Sequence, residues 1–265
     1  MKGLAIFRAQ KFSPNSTERD RAIMDLVCRR TGISCAIREE DIEKYVKEIN
    51  SADIILSMAR GEVALHILTE AERNSVKVVN SAAAVYKNSR FVIEQTMRNN
   101  KIPSAPLSCT EKGGWWIKRG DRAATEKGDV RFAANNDERD TIVRDFKARG
   151  INDIVVTAHV EGDLVKFYGV NGTDFFHITY PTDNGFSKFG NERRNGIAKH
   201  TPFNIEELHR NATRLAKQTG IDVYGGDCII RNDGTYAIID FNDWPSFAVC
   251  RENAAEAIAK LIMNK

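Results

Sequence analysis

The sequence predicts an α/β region followed by an α+β region: a parallel, helix-covered sheet first, then antiparallel strand pairs. Three observations predict it. Residues 1–80 alternate short apolar runs with helical segments, the pattern of a parallel sheet covered by helices. From residue 81 that alternation stops, and strand runs come as neighbours. Near the end, "YGGDCIIRNDGTYAIIDFNDWPSF" (224–247) holds two apolar runs around Asp233-Gly234, a strong hairpin signal.

Each element follows from local signals. "GLAIF" is a first strand; the run is too brief for the core of a signal peptide, and no small-residue cleavage site follows. "NSTE" at 15–18 predicts a capping box, with Asn15 as cap and Glu18 three residues on, opening a helix that stops near Gly32. "SCAI" and "ADIILSM" are strands, with a helix over 41–48 between them. A helix over 63–73 and the strand "VKVVN" follow. In such sheets ligands sit beyond the carboxyl ends of strands. Those ends, "FRAQKFSPN" and "SMARG", bring Arg8, Lys11 and Arg60 to one mouth, as anchors for an acidic substrate or as solvated loop cations.

The second half begins with one helical segment over 81–102, ending before Pro103. "GGWWIKRG" and "DVRFA" are strands around a polar loop, 137–148 is a helix, and "DIVVTAHV" is a strand. "DLVKFYGV" and "DFFHITYP" come next, then a helix over 205–218, the 224–247 hairpin and a last helix over 254–263.

The hairpin carries the chemistry. With Asp233 and Gly234 as a two-residue turn, Arg231 faces Tyr236, Asn232 faces Thr235 and, counting outwards, Asp227 faces Asp240. Alternation puts Asp240 and Asn242 on the same face as Asp227. Opposed like charges destabilise a sheet, so the arrangement predicts a cation between them. Three hard oxygen donors suit Mg²⁺ rather than zinc or copper. The alternative is a hairpin with ordinary exposed acids.

Composition sets outer bounds. Hydrophobic residues make up 42% and charged residues 28% of 265, which predicts a soluble globular protein of one large or two to three small domains. No apolar stretch approaches a membrane span. The five cysteines (28, 35, 109, 228 and 250) show no CxxC spacing, which argues against a disulfide framework or zinc site and predicts a reducing, cytoplasmic setting. A formal charge of +3 is too small to point to nucleic acid.

The ordered set of parts resembles the ATP-grasp superfamily over nearly the whole chain, most specifically in "GGDCII … IIDFNDWPSF". The resemblance implies an N-terminal parallel α/β domain over 1–85, a central lid subdomain over 86–160 and a C-terminal antiparallel-sheet subdomain over 161–265. It implies ATP with Mg²⁺ (or Mn²⁺) as cofactors, the metal held by Asp227, Asp240 and Asn242. Many ligases of the family have Glu where Asp240 stands. The "D-x-N … P-S-F" form and "LVKFYGV" are similar to the inositol polyphosphate kinase branch.

Other positions carry over by the same likeness. Lys118 in "WWIKRG" matches the lid-strand lysine on the ATP phosphates. Arg90 stands where the family normally opens the next helix with Lys. "VVTAHVEGD" resembles the hinge that reads adenine, with Ala158 and Val160 acting through backbone groups and Glu161 holding the ribose hydroxyls. It departs from the usual acidic or Gln start by having Thr157-Ala158. "NERRNGIAKH" lies where family members bind the acceptor, so Arg193, Arg194, Asn195 and Lys199 are candidate substrate contacts. Lys166 joins them, and Lys166 and Arg194 are the candidates for the reacting groups. A basic surface loop is the alternative. His159 and His200 read as lone histidines rather than acid–base groups, and Trp115–Trp116 as lid packing.

Two chemistries remain open. An acceptor carboxylate attacking the γ-phosphate gives an acyl phosphate that an amine captures, a carboxylate–amine ligase. A hydroxyl attacking it gives a small-molecule kinase. The ligase is the leading reading, the kinase the alternative, and a nucleotide-binding module without turnover the third. The expected partners are ATP and an anionic small-molecule or peptide acceptor, with a homodimer as the assembly considered and no nucleic acid or membrane.

Overall fold

The computed structural model describes residues 2–13, 16–109, 113–121, 126–184 and 194–263. Its first sheet holds β1 (Gly3–Phe7), β2 (Cys35–Arg38), β3 (Ile54–Ser57) and β4 (Lys77–Val79), all parallel, in the order β2-β1-β3-β4. Between the strands run α1 (Thr17–Thr31), α2 (Val46–Asn50) and α3 (Glu62–Arg73). Gly32, at φ 72°, closes α1 in the left-handed conformation that glycine adopts without strain. The helix begins one residue later than the capping box predicts. Ser16 holds the cap position and its side chain makes no capping bond; Asn15 lies outside the described residues. The helix expected over 41–48 is instead a 3₁₀ stretch, Glu39–Tyr45, leading into α2.

The helical segment after residue 81 is two helices, α4 (Ala82–Lys87) and α5 (Arg90–Asn99). Each has its own serine cap: Ser81 Oγ accepts from the Ala84 N–H and Ser89 Oγ from the Val92 N–H, which satisfies otherwise orphaned donors. A second sheet follows, β6-β5-β7, from β5 (Trp115–Arg119), β6 (Val130–Ala133) and β7 (Ile154–Ala158). One face packs on α6 (Asn136–Ala148) through Trp115, Ile117, Ala133, Ile142 and Phe146. The Trp115–Trp116 pair therefore splits: Trp115 is buried in this core and Trp116 is on the other face.

The third sheet is antiparallel, β11-β10-β8-β9, built from β8 (Asp163–Val170), β9 (Phe176–Thr179), β10 (Val223–Ile230) and β11 (Tyr236–Asp243). One of its faces lies on α7 (Ile205–Thr219), whose Leu208, Ala212, Leu215, Ala216 and Thr219 form a helical stripe at 3–4-residue spacing. The final helix, α8 (Arg251–Met263), packs beside α1 in a core shared with the first sheet, around fully buried Trp244 and Phe247. Burying one such aromatic contributes about 2–3 kcal/mol. Among the described residues no helix is long and apolar enough to cross a membrane.

The first and third sheets are joined by specific polar contacts. The Asn80 amide donates to the Val223 carbonyl at 2.8 Å and accepts from the Val223 N–H at 2.6 Å. Trp244 Nε1 donates to the Val79 carbonyl, and Arg8 Nη2 to the Trp244 carbonyl. Together these contacts hold the far end of the β10–β11 hairpin against the carboxyl ends of β1, β3 and β4.

Candidate functional site

Asp227 stands directly opposite Asp240, as the hairpin signal predicts, but by a different route. The turn is one residue longer than expected. The Arg231 N–H donates to the Thr235 carbonyl and the Gly234 N–H to the Arg231 carbonyl, so Asn232, Asp233 and Gly234 form the loop. Gly234 sits at φ 80°, the left-handed position that closes a three-residue turn. Left alone, that register would put Ile239 opposite Asp227 and turn Asp240 to the other face. A β-bulge corrects it: Cys228 pairs with Ile238 and Asp227 with Asp240, leaving Ile239 as the extra residue. Gly226 makes room for this, since a Cβ there would come within 2.3 Å of the Asp240 carbonyl oxygen.

The bulge and the registers set out one sheet face in rows, because directly paired residues share a face. The first row, nearest the turn, is apolar: Ala237, Ile229 and Leu164, packed with Ala105, Val160 and Ile239. The second is charged: Asp240, Asp227, Lys166 and Thr179. The third is Asn242, Gly225, Tyr168 and His177. Rows are spaced by about 7 Å and strands by about 4.8 Å.

Cations gather on the charged row. Lys166 Nζ lies 3.1 Å from Asp227 Oδ1. Arg90, at the start of α5, lies 3.6 Å from Asp240 Oδ1 and donates to the Arg119 carbonyl. Lys118 Nζ, from the second sheet, donates to the Ile239 carbonyl at 2.8 Å. Asn242 Nδ2 donates to Asp240 Oδ2 at 3.1 Å. Burial alone would raise the Asp240 pKa, but Arg90, Lys118, the Asn242 amide and Lys166 together hold it below the ordinary carboxylate value. Burial lowers the Lys118 pKa and Arg90 adds to this, against the pull of Asp240, Asp227 and Glu94. The opposed acids thus have protein cations as partners, where the sequence predicts a bound cation alone. Among the described residues no three His, Cys, Asp or Glu side chains gather into a metal cluster; the oxygen donor beside Asp240 on this face is the Asn242 amide. Two carboxylates and an amide oxygen on one face fit a hard divalent ion such as Mg²⁺.

The Ala158–Glu161 end of the face, where the sequence resemblance implies a hinge, is differently built. Trp116, Phe132 and His159 form an aromatic cluster, and the Arg194 guanidinium lies 3.5 Å from the Phe132 ring centroid. Trp116 Nε1–H donates to His159 Nδ1, which assigns the His159 proton to Nε2. Burial and then the Arg194 charge lower the His159 pKa. The Ala158 N–H donates to the Pro106 carbonyl, and the Val160 carbonyl accepts from Asn195 Nδ2. A cleft of about 360 Å³ opens between Pro106, His159–Glu161 and the Arg231–Asp233 turn.

Several expected contacts go elsewhere. Arg8 is spent on Asp20, the Met58 carbonyl and the Trp244 carbonyl, and Arg60 on Asp243, so these two arginines are half-buried ties between sheets and do not form an open anion-binding mouth. Lys11 lies over the Phe12 ring. Arg194 and Asn195 are at the hinge end, away from the charged row. The Lys199 N–H donates to Asp163, while its side chain is exposed. His200 pairs with Asp183. Arg193 lies outside the described residues.

Sequence reasoning missed four contributors. Glu94 is buried beside Arg98 within electrostatic reach of Lys118 and Asp240. Its spacing was a usable signal, since Arg90, Glu94 and Arg98 repeat every four residues along one helix face. Asp243 and Asn80 act across sheets, and His177 enters only through the β8–β9 register.

No protein-family model matches the chain, and no curated protein matches it by sequence. Solved structures do match. D-alanyl-alanine synthetase A from Vibrio cholerae aligns at TM-score 0.66 and 10% identity, over 100% of this chain and 98% of that one. The D-alanine–D-alanine ligase of Bacillus anthracis, complexed with ATP, aligns at 0.65 and 9%, over 100% and 98%. The ATP-grasp ligase PsnB, complexed with a minimal precursor, aligns at 0.60 and 13%, over 98% and 99%. The alignments run through all three sheets, and the chain therefore has the ATP-grasp fold.

Proposed function

We propose that the protein is an ATP-dependent carboxylate–amine ligase that activates an acid as its acyl phosphate. The observation that carries this reading is the order of rows on one sheet face: apolar beside the hinge cleft, opposed carboxylates with three cations next, polar side chains beyond. Such a strip suits a nucleotide laid from base to γ-phosphate, followed by an acceptor. Full-length likeness to ligases, including the parallel sheet, supports a ligase over a kinase.

In this reading the base lies by Val160 and the hinge cleft, with Glu161 on the ribose. Asp227, Asp240 and Asn242 would hold Mg²⁺, which supplies charge neutralisation on the β- and γ-phosphates. Lys118 and Arg90 bind the phosphates from the lid side, where partial burial strengthens each contact. Lys166 orients the acceptor carboxylate for in-line attack, and the work of the site is positioning and electrostatics. The acid is recognised by Lys166 and the third row, since Arg8 and Arg60 are engaged with Asp20 and Asp243.

Oxygen-18 in the acceptor carboxylate tests the reading. An acyl-phosphate path moves one labelled oxygen into the released orthophosphate. Orthophosphate free of label contradicts it.

A further inference from the structure

A ligase of this kind has a second chemical demand. The amine arrives largely as an ammonium ion, and its nitrogen attacks only after losing a proton. The acceptor for that proton belongs near the acid-binding lysine and away from the carboxylates already committed to cations. The chain has five histidines. His159 has Nδ1 engaged by Trp116 at the hinge end, and His200 is paired with Asp183. His209 is stacked on Phe176, whose side chain points to the opposite sheet face, and His66 is exposed on α3.

His177 differs from all four. It lies in the third row on the face that carries Asp227 and Lys166, directly across from Tyr168 and diagonal to Lys166. A diagonal pair of this kind is about 7–8 Å apart. That separation would set an amine nitrogen at His177 beside a carbonyl held at Lys166. β9 is the last strand of its sheet, so the ring is half-buried, and Tyr168 is tilted against it at 6.3 Å. Among the described residues no hydrogen bond occupies either ring nitrogen of His177. The charged group diagonal to it on the neighbouring strand is Lys166. Burial lowers the His177 pKa, which favours the neutral ring.

We propose that His177 is the general base that takes the proton from the incoming amine. This rests on the ligase reading of the site. The acceptor carboxylate oxygen attacks the γ-phosphorus and ADP leaves. The amine nitrogen then bonds to the acyl carbon, the C–O bond to phosphate breaks, and orthophosphate leaves with that electron pair. Of the two protons that the ammonium nitrogen loses on the way to the amide, the first goes to His177 before attack and the second leaves with the orthophosphate. No oxidant or further co-reactant is required.

Hydroxylamine separates this role from others, because it is unprotonated at neutral pH and attacks acyl phosphates without a base. MgATP and a panel of free D- and L-amino acids serve as acids, with either hydroxylamine or the same amino acids as nucleophiles. His177→Gln is expected to form hydroxamate within about twofold of wild type and to lose amide formation by about a hundredfold or more. The acidic limb of the wild-type amide profile, below the ordinary histidine value, disappears in the variant. His177→Asn should behave alike, and retained hydroxamate formation reports that either variant is folded. Equal loss of both products, or loss of neither, overturns the assignment. Absence of hydroxamate from the wild type overturns the ligase reading itself.

Discussion

The Lys118 ammonium bonds the carbonyl of Ile239, the extra residue of the bulge that brings Asp240 opposite Asp227. A bulge residue has no ladder partner, so its carbonyl is open to a side chain from another sheet. One irregularity thus sets the carboxylate pair and receives a lysine from the second sheet. Lys118→Met keeps the stem and removes the charge. MgATP affinity, measured by calorimetric titration, should fall about tenfold or more. An unchanged affinity would remove Lys118 from the nucleotide site.

Asp240→Asn tests the carboxylate pair. The amide keeps the shape and loses the charge that Arg90 and Lys118 face. Mg²⁺-dependent ADP formation should drop by about a hundredfold or more while the circular dichroism spectrum is retained. Wild-type turnover would contradict the metal assignment.

The seam between sheets predicts a stability effect far from the chemistry. Asn80→Ala leaves the buried N–H of Val223 without its partner and removes one of the two hydrogen bonds to the Val223 carbonyl, which keeps that from the Trp244 N–H. Urea denaturation should show a loss of about 2–4 kcal/mol. A change below about 0.5 kcal/mol would mean that the sheets are held by their apolar core alone.

Asp163 predicts a pH dependence. Its carboxylate accepts the N–H groups of Lys199 and Thr201. Burial pushes its pKa up, but these bonds outweigh burial and hold it below the ordinary value of 3.8. A depressed pKa contributes stability above the unfolded-state value and loses it as pH falls through the folded one. Asp163→Asn should therefore be less stable than wild type at neutral pH, with the gap in urea midpoint closing as the pH falls below the ordinary carboxylate value. A gap that persists in acid would mean the carboxylate charge is not what holds the 199–201 segment.

Most of the fold was legible because its strands are apolar runs and its helices are punctuated by caps and glycines. Gly32 ends α1 where the sequence says it should, and Asp240 and Asn242 of "IIDFND" share the face that carries Asp227. Contacts between distant segments were less accessible. The Asn80–Val223 pair joins residues 143 apart, and neither residue type announces the other. Arg8 and Arg60 read as open cations because Asp20 and Asp243 are set beside them only by docking of the sheets. The register at Asp227 came out as predicted although the turn is longer, because turn and bulge each displace the pairing by one residue in opposite senses.

ATP labelled on the γ-phosphate, incubated with Mg²⁺ and fractionated small metabolites, tests the central claim most directly. The account predicts that label leaves as orthophosphate, and only when an acid and an amine are both present. Label retained in a stable organic product would make the protein a kinase. Saturable ATP binding with no label released would make it a nucleotide-binding module. Either result would contradict the ligase reading.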